Sequence, residues 1–337
     1  MRGYTSSYNH DGLYVLIGRQ GALCGNVRSV FGKIYITEHA IAVAGNEKSD
    51  TNFLHYLFLK MNLGQYSDQS AQPGLAVNKL LKLKVLLPSI SEQIKIAKLL
   101  SLLDERIAVQ SRLIEDFKKL RCAIIENVFC SPNHNESALR FKGNTDPLST
   151  YRMEDFCSRI TRKNKDNQCS LVLTIAAQYG LVDQESFFNK TVASENLAGY
   201  YLLHKGEFAY NRSYSAGYDW GAVKRLEKYP EGVLSTLYIC FKIDESAVDS
   251  DYLAYYFEST KWHKGLSDIA GEGARNHGLL NVSVNDYFNT RHRFHCMREQ
   301  KIIASMLNVI SQKENDEIAL YDNYQKQKQY LLRKMFI

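Results

Sequence analysis

The feature that most constrains this 337-residue chain is a long internal repeat. Residues 92–97 (EQIKIA) recur 207 positions later as residues 299–304 (EQKIIA), and the register then holds without a gap to the end of the chain. At the same offset, Val77 and Asn78 correspond to Val284 and Asn285. Because a long in-register repeat marks a duplicated structural unit, the chain is predicted to contain two copies of one unit.

Both repeated segments have the apolar spacing of long helices. The seam of the first is Leu103, Ile107, Gln110, Ile114, Phe117, Arg121, Ile124 and Val128, and that of the second is Ile310, Glu314, Glu317, Tyr321, Tyr324, Lys328, Leu331 and Met335. Steps of three and four residues give the period of a coiled coil. We expect the first helix, about residues 92–129, to be roughly 55 Å long at 1.5 Å per residue. We also expect it to pair with the second helix, although each could instead pack on its own domain.

The remaining sequence divides around these helices. Residues 131–150 are polar and turn-rich, as in a linker, whereas residues 151–296 alternate short β-prone runs with turns and a helical stretch, which indicates a mixed α/β domain. Residues 1–88 repeat only the later part of that domain, so we expect a partial first domain. The predicted order is residues 1–88, a helix over 89–130, a linker over 131–150, a domain over 151–296 and a helix over 297–337.

Composition excludes several classes of protein. The chain has 42 Lys and Arg against 36 Asp and Glu, a formal charge of +6, and 45% hydrophobic residues, so it can fold and is mildly basic. Its seven cysteines form no Cys-x-x-Cys pair, which is typical of a reduced cytoplasmic protein. The sequence shows neither a signal peptide nor an apolar run long enough for a membrane span.

Few motifs suggest catalysis. We find no phosphate-binding loop, no hydrolase elbow and no paired nuclease-like acids. The glycine-rich residues 18–25 lack the context of a dinucleotide site, so we interpret them as a turn. His292, His295 and Cys296 could bind zinc, but no second ligand pair accompanies them, which favours structural histidines.

Basic and amide residues interleaved with aromatics are the positive signal. The candidate DNA-binding residues of the first domain are Arg19, Gln20, Asn26, Arg28 and Gln72. Those of the second domain are Arg159, Arg162, Lys163, Lys165, Asn211, Arg212, Tyr214, Lys224, Arg225, Arg275 and Asn276. Arg and Lys pair with phosphates, Arg reads guanine, and Asn or Gln reads adenine. Solvated charged loops look similar, so each cluster alone is weak evidence.

Taken together, these segments resemble the DNA-specificity (S) subunit of type I restriction-modification systems. The resemblance is carried by residues 87–97 (LPSISEQIKIA), residues 140–142 (RFK) and the chain end 331–337 (LLRKMFI). Residues 17–22 through 37–40 and residues 177–182 through 206–211 resemble parts of that family's target-recognition domains. In the second copy His295 and Cys296 stand where the first has Pro88 and Ser89.

The resemblance implies an α/β (α+β) fold of two tandem target-recognition domains joined by two long antiparallel helices that form a coiled coil. By the same resemblance, each domain would read half of a split double-stranded DNA site. A rod of roughly 55 Å, which spans about one and a half duplex turns, agrees with that separation. The resemblance also implies a non-catalytic chain whose modification and restriction subunits bind S-adenosylmethionine, ATP and Mg.

Two other functions compete with this prediction. A coiled-coil adaptor or decoy could bind modification subunits without reading a full site, and a metal-dependent enzyme could use His292, His295 and Cys296. For a DNA reader, we further expect acidic residues to collect on the helices and basic residues on the loops that face DNA.

Overall fold

The computed structural model describes residues 5–68, 73–144, 146–189, 196–213, 217–269, 280 and 282–336. The chain forms two compact units. Unit 1 comprises Met1–Glu115 and Asn315–Ile337, and unit 2 comprises Asp116–Glu314. Each unit therefore contains part of both long helices, whereas the sequence prediction treated the helices as separate segments.

Unit 1 is built on a three-stranded antiparallel sheet. Its strands are β1 (His10–Gly18), β2 (Val27–Ile34) and β3 (Ala40–Val43), in the order β2-β1-β3. The helices α1 (Thr51–Met61) and α2 (Val77–Leu80) follow. Alternation along β1 buries Val15 and Ile17 completely, and these side chains join the core that α1 covers.

Unit 2 has a larger set of short strands. They are β4 (Ser149–Arg152), β5 (Cys157–Arg159), β6 (Leu173–Ala176), β7 (Gly180–Asp183), β8 (Tyr201–His204), β9 (Phe208–Asn211), β10 (Ala222–Arg225), β11 (Glu231–Leu234), β12 (Ile239–Ile243) and β13 (Arg291–Phe294). The main sheet has the order β10-β9-β12-β5, and β11-β8, β13-β4 and β6-β7 form pairs. Four shorter helices are α4 (Gln184–Phe188), α5 (Ser250–Tyr256), α6 (His263–Ser267) and α7 (Val284–Phe288).

The two sheets share a topology. In unit 1 the first strand, β1, pairs with β2 on one side and with β3 on the other, all antiparallel. In unit 2, β9 pairs in the same way with β10 and with β12. The strand order, like the repeated sequence, thus supports two copies of one core.

Two helices of 39 residues carry the repeated sequence. They are α3 (Ile90–Val128) and α8 (Met297–Met335). The ends of both helices lie within two residues of the bounds predicted from the sequence, 89–130 and 297–337. In unit 1 they run antiparallel, because Asp104 pairs with Lys328 at 2.5 Å while Gln110 meets Glu317. The Gln110 amide donates to the Glu317 carbonyl oxygen at 3.0 Å and to its carboxylate at 2.5 Å, and both side chains are buried.

The parts of α3 and α8 in unit 2 also contact each other. Arg121 Nε donates to the Glu314 carboxylate at 3.1 Å, and a second nitrogen of the guanidinium donates to Glu258 at 2.5 Å. Leu307 and Ile125 are buried in the same core. The contacts of Gln110 with Glu317 and of Arg121 with Glu314 join predicted seam positions of the two helices, so the coiled-coil prediction is confirmed and the alternative of two separate helices is not.

A buried glutamine joins each long helix to its sheet domain. In unit 1, Gln93 Oε1 accepts from Asp50 N at 2.9 Å, and the Asp50 carboxylate caps α1 at Phe53 N. In unit 2, Gln300 Oε1 accepts from Asp249 N at 2.8 Å, and Asp249 caps α5. Gln93 and Gln300 are equivalent in the repeat, so the same contact fixes a short helix against α3 and against α8.

A tyrosine reinforces this contact one turn further along each short helix. The Tyr56 hydroxyl donates to Asp104 on α3 at 2.9 Å. The Tyr255 hydroxyl contacts Ser311 on α8 at 3.0 Å, and Ser311 is the repeat equivalent of Asp104. The docking of α1 and α5 therefore survived the divergence of the two copies.

The histidines considered as zinc ligands belong to the core of unit 2. His292 is 2% exposed, and its ring bonds the Tyr256 hydroxyl at 3.1 Å and the Thr290 hydroxyl at 2.8 Å. His295 bonds the Tyr252 hydroxyl at 2.8 Å. Burial lowers the pKa of His292 to about 3 and that of His295 to about 4. Within the described ranges no group of three metal-ligating side chains converges, so structural histidines are the better interpretation.

The expected charge separation is wrong. The helix α3 carries seven basic and six acidic residues, and α8 carries seven and five. Several acids, including Glu314 and Glu317, lie in the seam, where they bond side chains of the facing helix. Acidic residues are therefore used inside the helix pair. Among the described residues, no helix combines the length and apolar character needed to cross a membrane.

Removing the Gln300 anchor should destabilise unit 2. We expect Gln300→Ala to lower the free energy of unfolding by about 1–3 kcal/mol, because it leaves Asp249 N and the His295 carbonyl oxygen without their partner. Urea unfolding measures the change. The control Gln327→Ala, at an exposed site on α8, should stay within about 0.5 kcal/mol of the parent; equal effects would contradict the anchor.

The buried His292 should make unit 2 sensitive to acid. The unfolded chain protonates this imidazole below a pH of about 6.5, whereas the folded chain resists protonation down to about 3. Its stabilising contribution is thus complete above pH 6.5 and is lost as the pH falls, by up to about 2.7 kcal/mol two pH units lower. Urea unfolding across this window should show a shallower loss for His292→Gln; parallel pH profiles would refute this.

Candidate nucleic-acid interface

A tight turn between β1 and β2 organises the candidate residues of unit 1. Gly25 N donates to the Gly18 carbonyl oxygen, and Gly18 N donates to the Asn26 carbonyl oxygen, both at 2.8 Å. A Cβ on Gly18 would lie 1.9 Å from the Leu23 carbonyl oxygen. Gly25 has a φ of +78°, and its Cβ would lie 2.2 Å from Gly64 N. Only glycine fits at either position, which confirms the turn predicted for residues 18–25.

This turn brings three predicted residues to one open groove of about 570 Å³. Gln20, Asn26 and Arg28 line it together with His39 and Thr37. The Gln20 amide oxygen lies 2.9 Å from His39 Nδ1. The side chain of Arg28 is exposed and has no ion-pair partner among the described residues. The groove thus offers amide, imidazole and guanidinium groups, which are suited to base edges and phosphates.

The other two DNA-binding residues predicted for unit 1, Arg19 and Gln72, are not among the described residues that line this groove. Arg19 lies at the end of β1, where its Nη1 reaches the Glu38 carbonyl oxygen at 3.5 Å. Gln72 lies outside the described residues. His39 was not among the predicted residues, although it lies in the segment 37–40 that carries the family resemblance. Because Ala40 pairs with Gly18 in the sheet, His39 lies beside Gln20. Sequence spacing does not show this contact.

In unit 2, three predicted cations gather beside β8. Lys163 Nζ lies 4.1 Å from the centroid of the Tyr201 ring, and Arg159 Nη2 donates to the Tyr201 hydroxyl at 3.3 Å. Arg162 donates to the Leu202 carbonyl oxygen and pairs with Glu207 at 2.6 Å. Arg159 remains exposed, so this β8 cluster, defined as Arg159, Arg162 and Lys163, presents positive charge at the surface.

Two of the predicted arginines have internal roles. Arg225 is paired with Glu227 at 2.9 Å and with Asp251 at 2.7 Å. The two Nη atoms of Arg212 donate to the carbonyl oxygens of Val282 and Leu237, at 3.0 and 3.2 Å. Because these guanidinium groups already bond acceptors of the fold, we interpret them as structural, along with the Glu207-paired Arg162.

The remaining candidates are dispersed. Lys165 is exposed on a short 3-10 turn, and Lys224 is half-buried on the edge strand β10. The Asn211 amide oxygen accepts from Ser213 N at 3.0 Å. Tyr214, Arg275 and Asn276 lie outside the described residues.

An exposed aromatic cluster in unit 2 was not predicted. Tyr179, Phe187 and Phe188 are 62%, 44% and 52% exposed, and successive ring centroids lie 6.2 and 5.1 Å apart. The hairpin β6-β7 and α4 bring them together. Exposed aromatics at this density are typical of contact surfaces. The adjacent pair Phe187 and Phe188, after a turn, was the sequence signal available.

Comparisons with known proteins agree with this architecture. Residues 2–118 match the family model described as the type I restriction modification DNA specificity domain. A 104-residue segment is 49% identical to the type I restriction enzyme EcoprrI specificity subunit of Escherichia coli, covering 31% of this chain and 26% of that one. The aligned segment therefore spans about a quarter of that relative's length.

Solved structures match over the whole chain. The S subunit of a type I restriction-modification system from M. genitalium aligns with a TM-score of 0.60 at 15% identity, covering 100% of this chain and 86% of that one. A second, described as showing complex assembly and conformational transition of the type I R-M system, gives 0.52 at 15% identity over 99% and 84%. At this identity the structural matches show the fold alone, whereas the family model shows that residues 2–118 are similar to the type I restriction modification DNA specificity domain.

Proposed function

We propose that the chain reads a bipartite double-stranded DNA site in the cytoplasm and docks the modification and restriction subunits of a type I system. In this proposal it has no catalytic residues, and S-adenosylmethionine, ATP and Mg bind to the partner subunits. The carrying observation is that two units with a shared core present different polar surfaces. Two copies of one core that carry different surfaces are suited to two unequal half-sites.

The surfaces differ in chemistry. The unit 1 groove has amides and one unpaired guanidinium, Arg28, whereas in the β8 cluster of unit 2 two cations, Arg159 and Lys163, contact Tyr201. Phosphate contacts supply most of the affinity for DNA and base-edge contacts supply the selectivity. We therefore assign Arg28 to one half-site and Arg159 to the other.

The outer faces of the long helices support docking of partner subunits. Leu102 and Val309, which are equivalent in the repeat, are 53% and 68% exposed away from the seam. The equivalent pair Leu113 and Leu320 are 38% and 37% exposed. Because large apolar side chains at repeated surface positions are typical of interaction sites, two equivalent surfaces fit two copies of one partner.

The half-site assignment predicts separable effects on DNA binding. With modification subunits bound, we expect Arg28→Ala to weaken binding about 5- to 10-fold and to relax the preference at one half-site only. Arg159→Ala should relax the sequence preference at the other half-site only. Affinity should fall steeply with salt. Fluorescence anisotropy with DNA altered in either half-site measures this.

Lys60→Ala, at an exposed site near the end of α1, is the matched control and should keep the parent's selectivity. If both half-site preferences survive in both arginine variants, our assignments are wrong. If the parent complex shows no sequence preference at all, the chain is an adaptor or decoy.

The docking surface gives a second prediction. The double variant Leu102→Asp with Val309→Asp should bind modification subunits at least tenfold more weakly, because carboxylates would lose solvation in an apolar contact. Analytical ultracentrifugation of the mixed subunits measures it. Asn323→Asp, at an exposed site on α8, adds charge elsewhere and should assemble normally. Unimpaired assembly of the double variant would exclude this surface.

A further inference from the structure

An apolar groove in unit 1 has no covering element among the described residues. Its volume is about 530 Å³, and it is lined by apolar residues of β3, α1, α2 and the segment before α3, including Ala42, Val43, Leu54, Phe58 and Val85. The nearby Leu81 and Leu86 are each 80% exposed. Exposed apolar surface of this extent usually marks a contact site.

Unit 2 shows what occupies the corresponding place. There, β4 and β5 are joined by a short 3-10 turn, Met153–Asp155. The strand β4 pairs with β13, and β5 pairs with the edge strand β12. Residues 149–159 thus bridge two strands, and Met153 and Phe156, which are 0% and 1% exposed, enter the core between them.

The bridging segment is held by close contacts. Met153 N donates to the Thr290 carbonyl oxygen at 3.0 Å, and Asp244 N donates to the Phe156 carbonyl oxygen at 2.8 Å. The Phe156 ring centroid lies 5.0 Å from that of Phe294 on β13. These contacts supply both backbone pairing and apolar filling.

Both receiving strands have equivalents in unit 1. At the repeat offset, β13 corresponds to residues 84–87, and the shared sheet topology matches β12 to β3. Within the described residues, 84–87 form no strand and β3 pairs only with β1. Val85 is 39% exposed, whereas its equivalent His292 is 2% exposed. Ala42, Val43 and Val85 line the groove together.

We propose that this groove receives a strand–turn–strand segment of another polypeptide, similar in form to residues 149–159. The segment would add one strand to the free edge of β3 and pair its other strand with residues 84–87. Its two bulky apolar side chains would fill the groove, as Met153 and Phe156 do in unit 2. Free backbone groups on an edge strand readily accept an added strand.

The test uses the full chain and a synthetic peptide of residues 148–160 with Cys157→Ser. We expect the peptide to slow amide hydrogen exchange at residues 40–44 and 84–87 at least tenfold at saturation. The same peptide with Phe156→Asp should give no protection, since a carboxylate would enter the apolar groove.

A matched pair of chain variants localises the effect. Val85→Asp, at a partly exposed groove position, should weaken peptide binding at least tenfold, whereas Phe31→Asp, at an 82% exposed position on β2, should not. If about 1 mM peptide gives no protection, the dissociation constant is above about 1 mM, which is too weak for a docking contact. That result would overturn the proposal. Protection of the groove by self-association of the chain without peptide would overturn it too.

Discussion

The antiparallel pairing of α3 with α8 is the constraint on which the rest of the structure depends. Each compact unit contains parts of both helices, and unit 1 is built from two separate pieces of chain, Met1–Glu115 and Asn315–Ile337. In unit 1, the buried contact of Gln110 with Glu317 joins equivalent positions of the two copies. Such a self-equivalent contact is what an antiparallel pair of repeated helices must have at its centre. Buried polar groups tolerate few alternative registers, so this contact also favours a single alignment.

The helix pair acts as a frame to which the two sheets are attached in one way. A buried glutamine and a tyrosine fix α1 and α5 against the long helices, with the same partners in the repeat. These attachment contacts are the same in the two copies, whereas other surfaces of the two units have diverged. The groove beside Gln20 and the cluster around Tyr201 show how far they have done so. A shared attachment with divergent surfaces supports the proposed reading of two unlike half-sites.

The sequence predicted the helices and the turn well because both depend on local rules. A 3.5-residue period defines a helical seam whatever its partner, and Gly18 and Gly25 are required by backbone geometry within the turn. The roles of single arginines could not be predicted. Arg162 meets Glu207 and Arg225 meets Asp251 through strand pairing and packing across distant positions of the chain. The prediction of the charge distribution was wrong for the same reason, since acidic residues at seam positions bond side chains of the facing helix.

Sequence-specific reading of a bipartite site is the central claim. Its most direct test is single-molecule sequencing of methylated bases in a host that carries this chain with its modification subunits. We expect one methylated motif with two specified halves separated by unspecified bases, and we expect this motif to be lost when the chain is deleted. A methylation pattern that is unchanged by the deletion would contradict the claim.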